Sequence, residues 1–303
     1  MELTFPRAVP KYSVSQWSTP RNTVLEDIAQ IARTGGGGIG LSAPKLEGHS
    51  DQAIREALAE HGLVATLCVP SVFSVLPTPA SGPSEPREPA ARVELICRGM
   101  ERLAAFDPVA IVVAPGASGD PRNPAEPAQA VIDGLADIAD AAAGLGLRVG
   151  FEFLAERRGG AVTSLAHTAE ILDHLGRDNL GIVVDVWHAW PEPDLHRRLR
   201  TEAHRILALQ VNDVRDPERT WCDRLLPGDG RSVATGMIAS LLKGGFDGWY
   251  DLEVMSDDGT FGTALTDSLW AIPHGEMLAR AVAAFEAAYR RASVIADTGA
   301  RAR

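Results

Sequence analysis

Four polar side chains recur at matching places in four successive apolar stretches of this 303-residue sequence. Glu152 ends RVGFE, Asp185 ends GIVVD, Gln210 stands in ILALQVND and Glu253 in WYDLEVMS. A lone charge in an apolar run is costly unless it is paired or bound to a metal. If the four runs are neighbouring parallel strands, their side chains leave at one end and surround one point. Three carboxylates and an amide carbonyl form a hard oxygen set. It suits one divalent cation, Mn²⁺ foremost, with Mg²⁺, Co²⁺ or Zn²⁺ as alternatives. One such acid is equally well explained as an individually paired buried group; four at equivalent places favour a shared ion. Strand side chains alternate between faces, so Gly150, Val183, Ala208 and Asp251, two residues back, share the inward face. Three of these are small or apolar, which suits a barrel interior. Asp251 is a fifth polar group that would support the ligands.

The elements that must position these residues follow from periodicity. Runs rich in β-branched residues occur at 12–17, 38–42, 64–69, 109–114, 148–153, 181–185, 206–212 and 249–254. Between them lie segments with apolar residues at helical spacing, clearest at 126–145, 51–61 (stopped by Gly62) and 275–292. Strand–helix alternation predicts parallel strands with helices outside. Eight such units predict an α/β fold, a single (β/α)8 TIM barrel. A doubly wound sheet would usually show a glycine-rich phosphate turn after its first strand. The one glycine run, 35–38, precedes the second strand and reads as a turn. Residues 1–295 are assigned to the barrel and the small, polar 296–303 to a fraying tail. The proline-rich 77–89 and the polar 213–231 follow strands and are expected to be functional loops at the mouth.

These motifs resemble the xylose-isomerase-like sugar phosphate isomerase/epimerase family, most strongly from 148 to 267. Glu152, Asp185 and Glu253 align with its acidic ligands, and His188, three beyond Asp185, with a family histidine. Gln210 stands where a histidine is usual, as it does in dehydroshikimate dehydratase-like members. The resemblance implies a metal-dependent isomerase or epimerase of a sugar or keto-sugar. The metal binds two oxygens of a hydroxyketone, and Glu152 and Glu253 remove and return a proton from opposite faces. The alternative is a lyase on the same scaffold, dehydrating an inosose or dehydroshikimate or eliminating from a 3-keto-glycoside. His188 would bind substrate or act as a general acid. Glu156, Arg215 and Arg224 are candidates for substrate hydroxyls, and Trp17, Trp187 and Phe73 for apolar walls. Family barrels often pair, so a homo-oligomer is implied.

Bulk properties narrow the partners. A formal charge of −11, with no basic run, argues against nucleic acid. No apolar run reaches the ~18 residues of a membrane span, and the N-terminus lacks an apolar signal core, so a cytoplasmic protein is expected. Cys68, Cys97 and Cys222 are dispersed and are expected to be reduced thiols. An endonuclease-IV-like repair barrel would need more metal-binding histidines and a basic face. A catalytically silent sugar-binding barrel would show no stoichiometric metal. His49, His61, His167, His174, His196, His204 and His274 lack acidic partners at metal spacing and are expected to be surface or packing residues.

Overall fold

The computed structural model describes residues 10–79, 81–117 and 125–300. In chain order the elements are β1 (Tyr12–Ser15), α1 (Val24–Arg33), β2 (Gly38–Gly40), α2 (Asp51–His61), β3 (Val64–Ala65), β4 (Leu67–Cys68), α3 (Pro89–Leu103), β5 (Ala110–Val113), α4 (Ala125–Gly144), β6 (Val149–Glu152), α5 (Leu165–Leu175), β7 (Leu180–Asp185), α6 (Val186–Ala189), α7 (Leu195–Thr201), β8 (Ile206–Val211), β9 (Asp213–Val214), β10 (Arg224–Leu225), α8 (Val233–Lys243), β11 (Trp249–Leu252) and α9 (His274–Ala300). The parallel sheet runs β3-β2-β1-β11-β8-β7-β6-β5-β4. Its two ends, β3 and β4, are consecutive pieces of one stave, so the sheet closes on itself. This is the expected (β/α)8 barrel.

Local signals account for the helix ends. Thr23 and Glu26 form a reciprocal capping box on α1. Ser50 caps α2, and Gly62 ends it at φ 65°, a left-handed conformation that costs glycine little. Two expected boundaries move. The first strand stops at Ser15, and Trp17 lies in a short 3-10 turn, Gln16–Ser18. Helix α9 continues to Ala300 instead of giving way to a tail at 296, because Ala292 and Ala296 remain buried on its inner face; residues 301–303 lie outside the described residues.

The main core lies between strands and helices. A smaller one fills the barrel itself, from Leu67, Val69, Ala110, Val112, Val183, Leu207 and Ala208. Gly150 faces this interior: a Cβ there would stand 2.7 Å from Val183 Cγ2. Register links Glu152 to Val183, Asp185 to Gln210, and Gln210 to Asp251, so these residues share the inward face. Between β7 and β8 the register shifts, with Ile182 opposite Ile206 but Val183 opposite Ala208. Leu207 is the extra residue of a bulge, and that bulge brings Ala208 and Gln210 inward.

Candidate metal and active site

A cavity of about 170 Å³ opens at the C-terminal mouth of the barrel. Glu152, Gln210, Glu253, His188, Arg224 and Trp17 all border it. Asp185 lies directly behind, fully buried. Strand ends and the first residues beyond them deliver the polar groups: Glu152 closes β6, Asp185 closes β7 and caps α6, and Glu253 follows β11.

Each carboxylate has a different environment. Asp185 accepts from Asn212 Nδ2 at 2.7 Å and Trp187 N–H at 2.9 Å through Oδ1, while Oδ2 stands 2.8 Å from Arg224 Nη1. Glu253 accepts from Gln210 Nε2 at 3.0 Å, Ser15 Oγ at 3.2 Å and Arg224 at 2.5 Å. Burial raises its pKa, and Arg224 opposes the rise. Glu152 has no hydrogen-bond donor on its carboxylate among the described residues. Burial, then the charges of Glu253 and Asp185, push its pKa well above the usual carboxylate range. Asp251 lies one layer below, bonded to Ser13 Oγ at 2.5 Å, and burial pushes it up to about 7.

The set fits a divalent cation. Three carboxylates against the single buried guanidinium of Arg224 leave a deficit of two positive charges. Gln210 donates its amide nitrogen to Glu253, so its carbonyl Oε1 is turned free; that oxygen is buried and unpartnered. Such an orphan acceptor in a buried site calls for a partner. Glu152, Asp185 and His188 offer donor atoms within 4.8 Å of one another. The backbone, however, assigns His188 another part. Ala155 N–H donates to His188 Nδ1 at 2.9 Å, so the neutral ring carries its proton on Nε2. That nitrogen lies 3.8 Å from both Glu152 Oε1 and Asp185 Oδ2. Desolvation, then Arg224, Arg158 and Arg157, hold the histidine well below its usual pKa. It is therefore a neutral donor facing the cavity, and Glu152, Asp185, Gln210 and Glu253 are the residues whose oxygens could hold an ion.

Two candidate substrate residues lie elsewhere. Glu156 is exposed on the turn Glu156–Arg158. Arg215 is tied to Asp223 at 2.8 Å and Asp267 at 3.0 Å. Neither borders the cavity: Glu156 is exposed to solvent, and Arg215 is held by its two carboxylates. Trp187 is buried behind the site, with Arg157 stacked 3.9 Å from its ring centre; Phe73 does border the cavity. Arg158, Trp221 and Phe261 also line it and escaped the sequence reading. Their loops carry no periodicity, and only the fold brings them over the mouth. The ribbon β9–β10 explains Arg224: it pairs with Val214 across the hairpin, which turns the chain back over the barrel. Asp213 pins that loop by accepting from Gly228 N–H at 2.8 Å and Ser232 N–H at 3.0 Å.

Closed parallel barrel and buried oxygen cluster together define a class, the barrels that carry a polar, metal-competent site at the strands' C-terminal ends. The family pattern described as xylose isomerase-like TIM barrel matches residues 28–286, and the chain belongs to that family. No curated protein is a significant match. Among solved structures, a protein from Sinorhizobium meliloti 1021 is 20% identical with a TM-score of 0.77, over 92% of this chain and 98% of that one. IOLI protein with a binding zinc atom is 17% identical at a TM-score of 0.76, over 92% and 98%. D-psicose 3-epimerase with D-tagatose, from Clostridium cellulolyticum H10, is 17% identical at 0.74, over 93% and 99%. At these identities the likeness is one of fold. Among the described residues no helix is long and apolar enough to cross a membrane.

Proposed function

We propose that this protein is a divalent-metal-dependent isomerase or epimerase of a sugar or keto-sugar. The observation that carries this reading is the convergence of Glu152, Asp185, Gln210 and Glu253 on one buried place beside an open cavity, with Gln210 Oε1 buried and unpartnered and Glu152 without a hydrogen-bond donor among the described residues. Bound there, a divalent ion, Mn²⁺ foremost, would offset negative charge developing on the substrate's oxygens. Glu152 and Glu253 come from β6 and from the end of β11, with β7 and β8 between them, and so reach the cavity from different sides. One carboxylate takes a proton from the carbon beside the carbonyl, and the bonding pair shifts toward that carbonyl. The other returns a proton to the opposite face. His188 Nε2–H donates to a substrate oxygen. Arg224 holds Asp185 and Glu253 in place.

The lyase alternative draws on His188, a neutral donor able to protonate a departing hydroxyl, and on Gln210. Proton NMR of candidate keto-sugars with the Mn²⁺-loaded protein in D₂O tests both. Deuterium at the carbon beside the carbonyl without loss of water supports epimerisation, loss of water supports the lyase, and unchanged spectra across the panel reject both. Free Cys68, Cys97 and Cys222 accord with a reduced, cytoplasmic setting. Pairing into a homo-oligomer is also part of this reading, and sedimentation measures it.

A further inference from the structure

With a divalent ion bound beside Arg224, the described residues would give the cavity one cation more than its carboxylates require. Arg224 answers Asp185 and Glu253 at 2.8 and 2.5 Å, and a divalent ion would complete the neutralisation of those two and Glu152. Glu85, the other carboxylate at the cavity, is engaged by Arg92 at 3.0 Å. Arg157, the next residue back, pairs with Glu218 at 2.7 Å. Arg158 differs from all of these. It borders the cavity with its guanidinium 4.5 Å from the centre of the Trp221 ring. Its Nε is buried without a hydrogen-bond partner, and among the described residues it forms no ion pair. Desolvation, then the like charge of Arg224, pull its pKa down to about 10, the direction expected of a cation held without a matching anion.

We propose that Arg158 receives an anionic group of the substrate, a carboxylate or a phosphate monoester, on the Trp221 side of the cavity. A guanidinium presents a planar fork suited to either group. The proposal rests on the proton-transfer reading above and narrows its substrate from keto-sugars in general to those bearing a negative charge. Trp17, Phe73 and Phe261 would border the uncharged part of the molecule.

The test uses the full-length, Mn²⁺-loaded protein. D-Fructose, D-fructose 6-phosphate and 5-keto-D-gluconate are compared for deuterium exchange in D₂O. The expected result is a kcat/KM at least tenfold higher for the phosphate or the carboxylate than for the neutral ketose; which of the two is preferred identifies the anion. Arg158→Gln should raise KM for the preferred anion tenfold or more with a much smaller change in kcat, and Arg158→Lys should recover part of the loss. A neutral ketose turned over as well as both anions, or an anion preference that survives Arg158→Gln, overturns the proposal. Calorimetric binding of malonate and inorganic phosphate provides a readout independent of turnover. Either should bind wild type at least tenfold more tightly than Arg158→Gln, and equal affinities overturn the proposal. Should none of the three compounds exchange while one anion still distinguishes the two proteins, the anion site stands and the proton-transfer reading is what fails.

Discussion

The floor and the mouth of the barrel are built from the same inward-facing strand positions, two residues apart, yet they are opposites. At the floor Gly150, Val183 and Ala208 leave no room even for a methyl group at Gly150. At the mouth Gln210 leaves a buried carbonyl oxygen without a hydrogen-bond partner, and Glu152 has no hydrogen-bond donor on its carboxylate among the described residues, both beside open space. Asp251 apart, whose Oδ2 is also buried and unpartnered, the floor is optimised for packing and the mouth is not. Such local violations of good packing and pairing are expected where chemistry is done.

The contrast is broken most severely at the mouth. Glu152→Gln or Glu253→Gln should lower turnover by roughly 10³-fold or more, about 4 kcal/mol, since general acid–base groups contribute on this scale; circular dichroism should show the fold retained. Turnover at wild-type level would remove these acids from the mechanism. The two should part in the metal-free protein. Glu152→Gln removes a buried acid whose ionisation the fold resists and should raise Tm above the ordinary carboxylate range of pH, whereas Glu253→Gln takes a partner from Arg224 and should not.

At the floor, Leu207→Ala should cost about 2–5 kcal/mol in denaturant unfolding, because it empties a packed interior. Metal affinity should change far less. Next in size, Mn²⁺ at a hundredfold excess over Kd should stabilise the protein by about 2.7 kcal/mol. That gain depends on pH. Glu152 and Glu253 have folded pKa values above their unfolded ones, so the metal-free fold binds more protons and loses stability as pH rises from the ordinary carboxylate range through the raised one. Metal must displace those protons, so its affinity should climb over the same window. Calorimetric titrations at several pH values measure both trends, and an affinity independent of pH would show that these acids are not the ligands. Smallest, Arg215→Ala should cost roughly 1 kcal/mol or less, as expected of a partly exposed ion pair, and should leave metal affinity unchanged.

Much of this architecture is legible in the amino-acid order. Strand–helix alternation predicts a barrel, and period-two alternation places Glu152, Asp185, Gln210 and Glu253 on one face. Those are local properties, set by which residues pack on a strand and at what spacing; the register places Glu152, Asp185 and Gln210 on the inward face, and Glu253 follows the last paired residue of β11. The bulge at Leu207 was not legible, since a single extra residue leaves the apolar pattern of β8 intact. Nor were the fates of loop charges. Arg224, Arg215 and Arg158 look alike in sequence; the hairpin β9–β10 buries the first among carboxylates, Asp223 and Asp267 claim the second, and the third is left facing the cavity. Sequence alone determined which side chains leave the strand ends together, because backbone geometry dictates alternation. Tertiary structure decided which loop cation meets which anion, because those pairings join residues distant along the chain whose contact depends on how the loops close over the mouth.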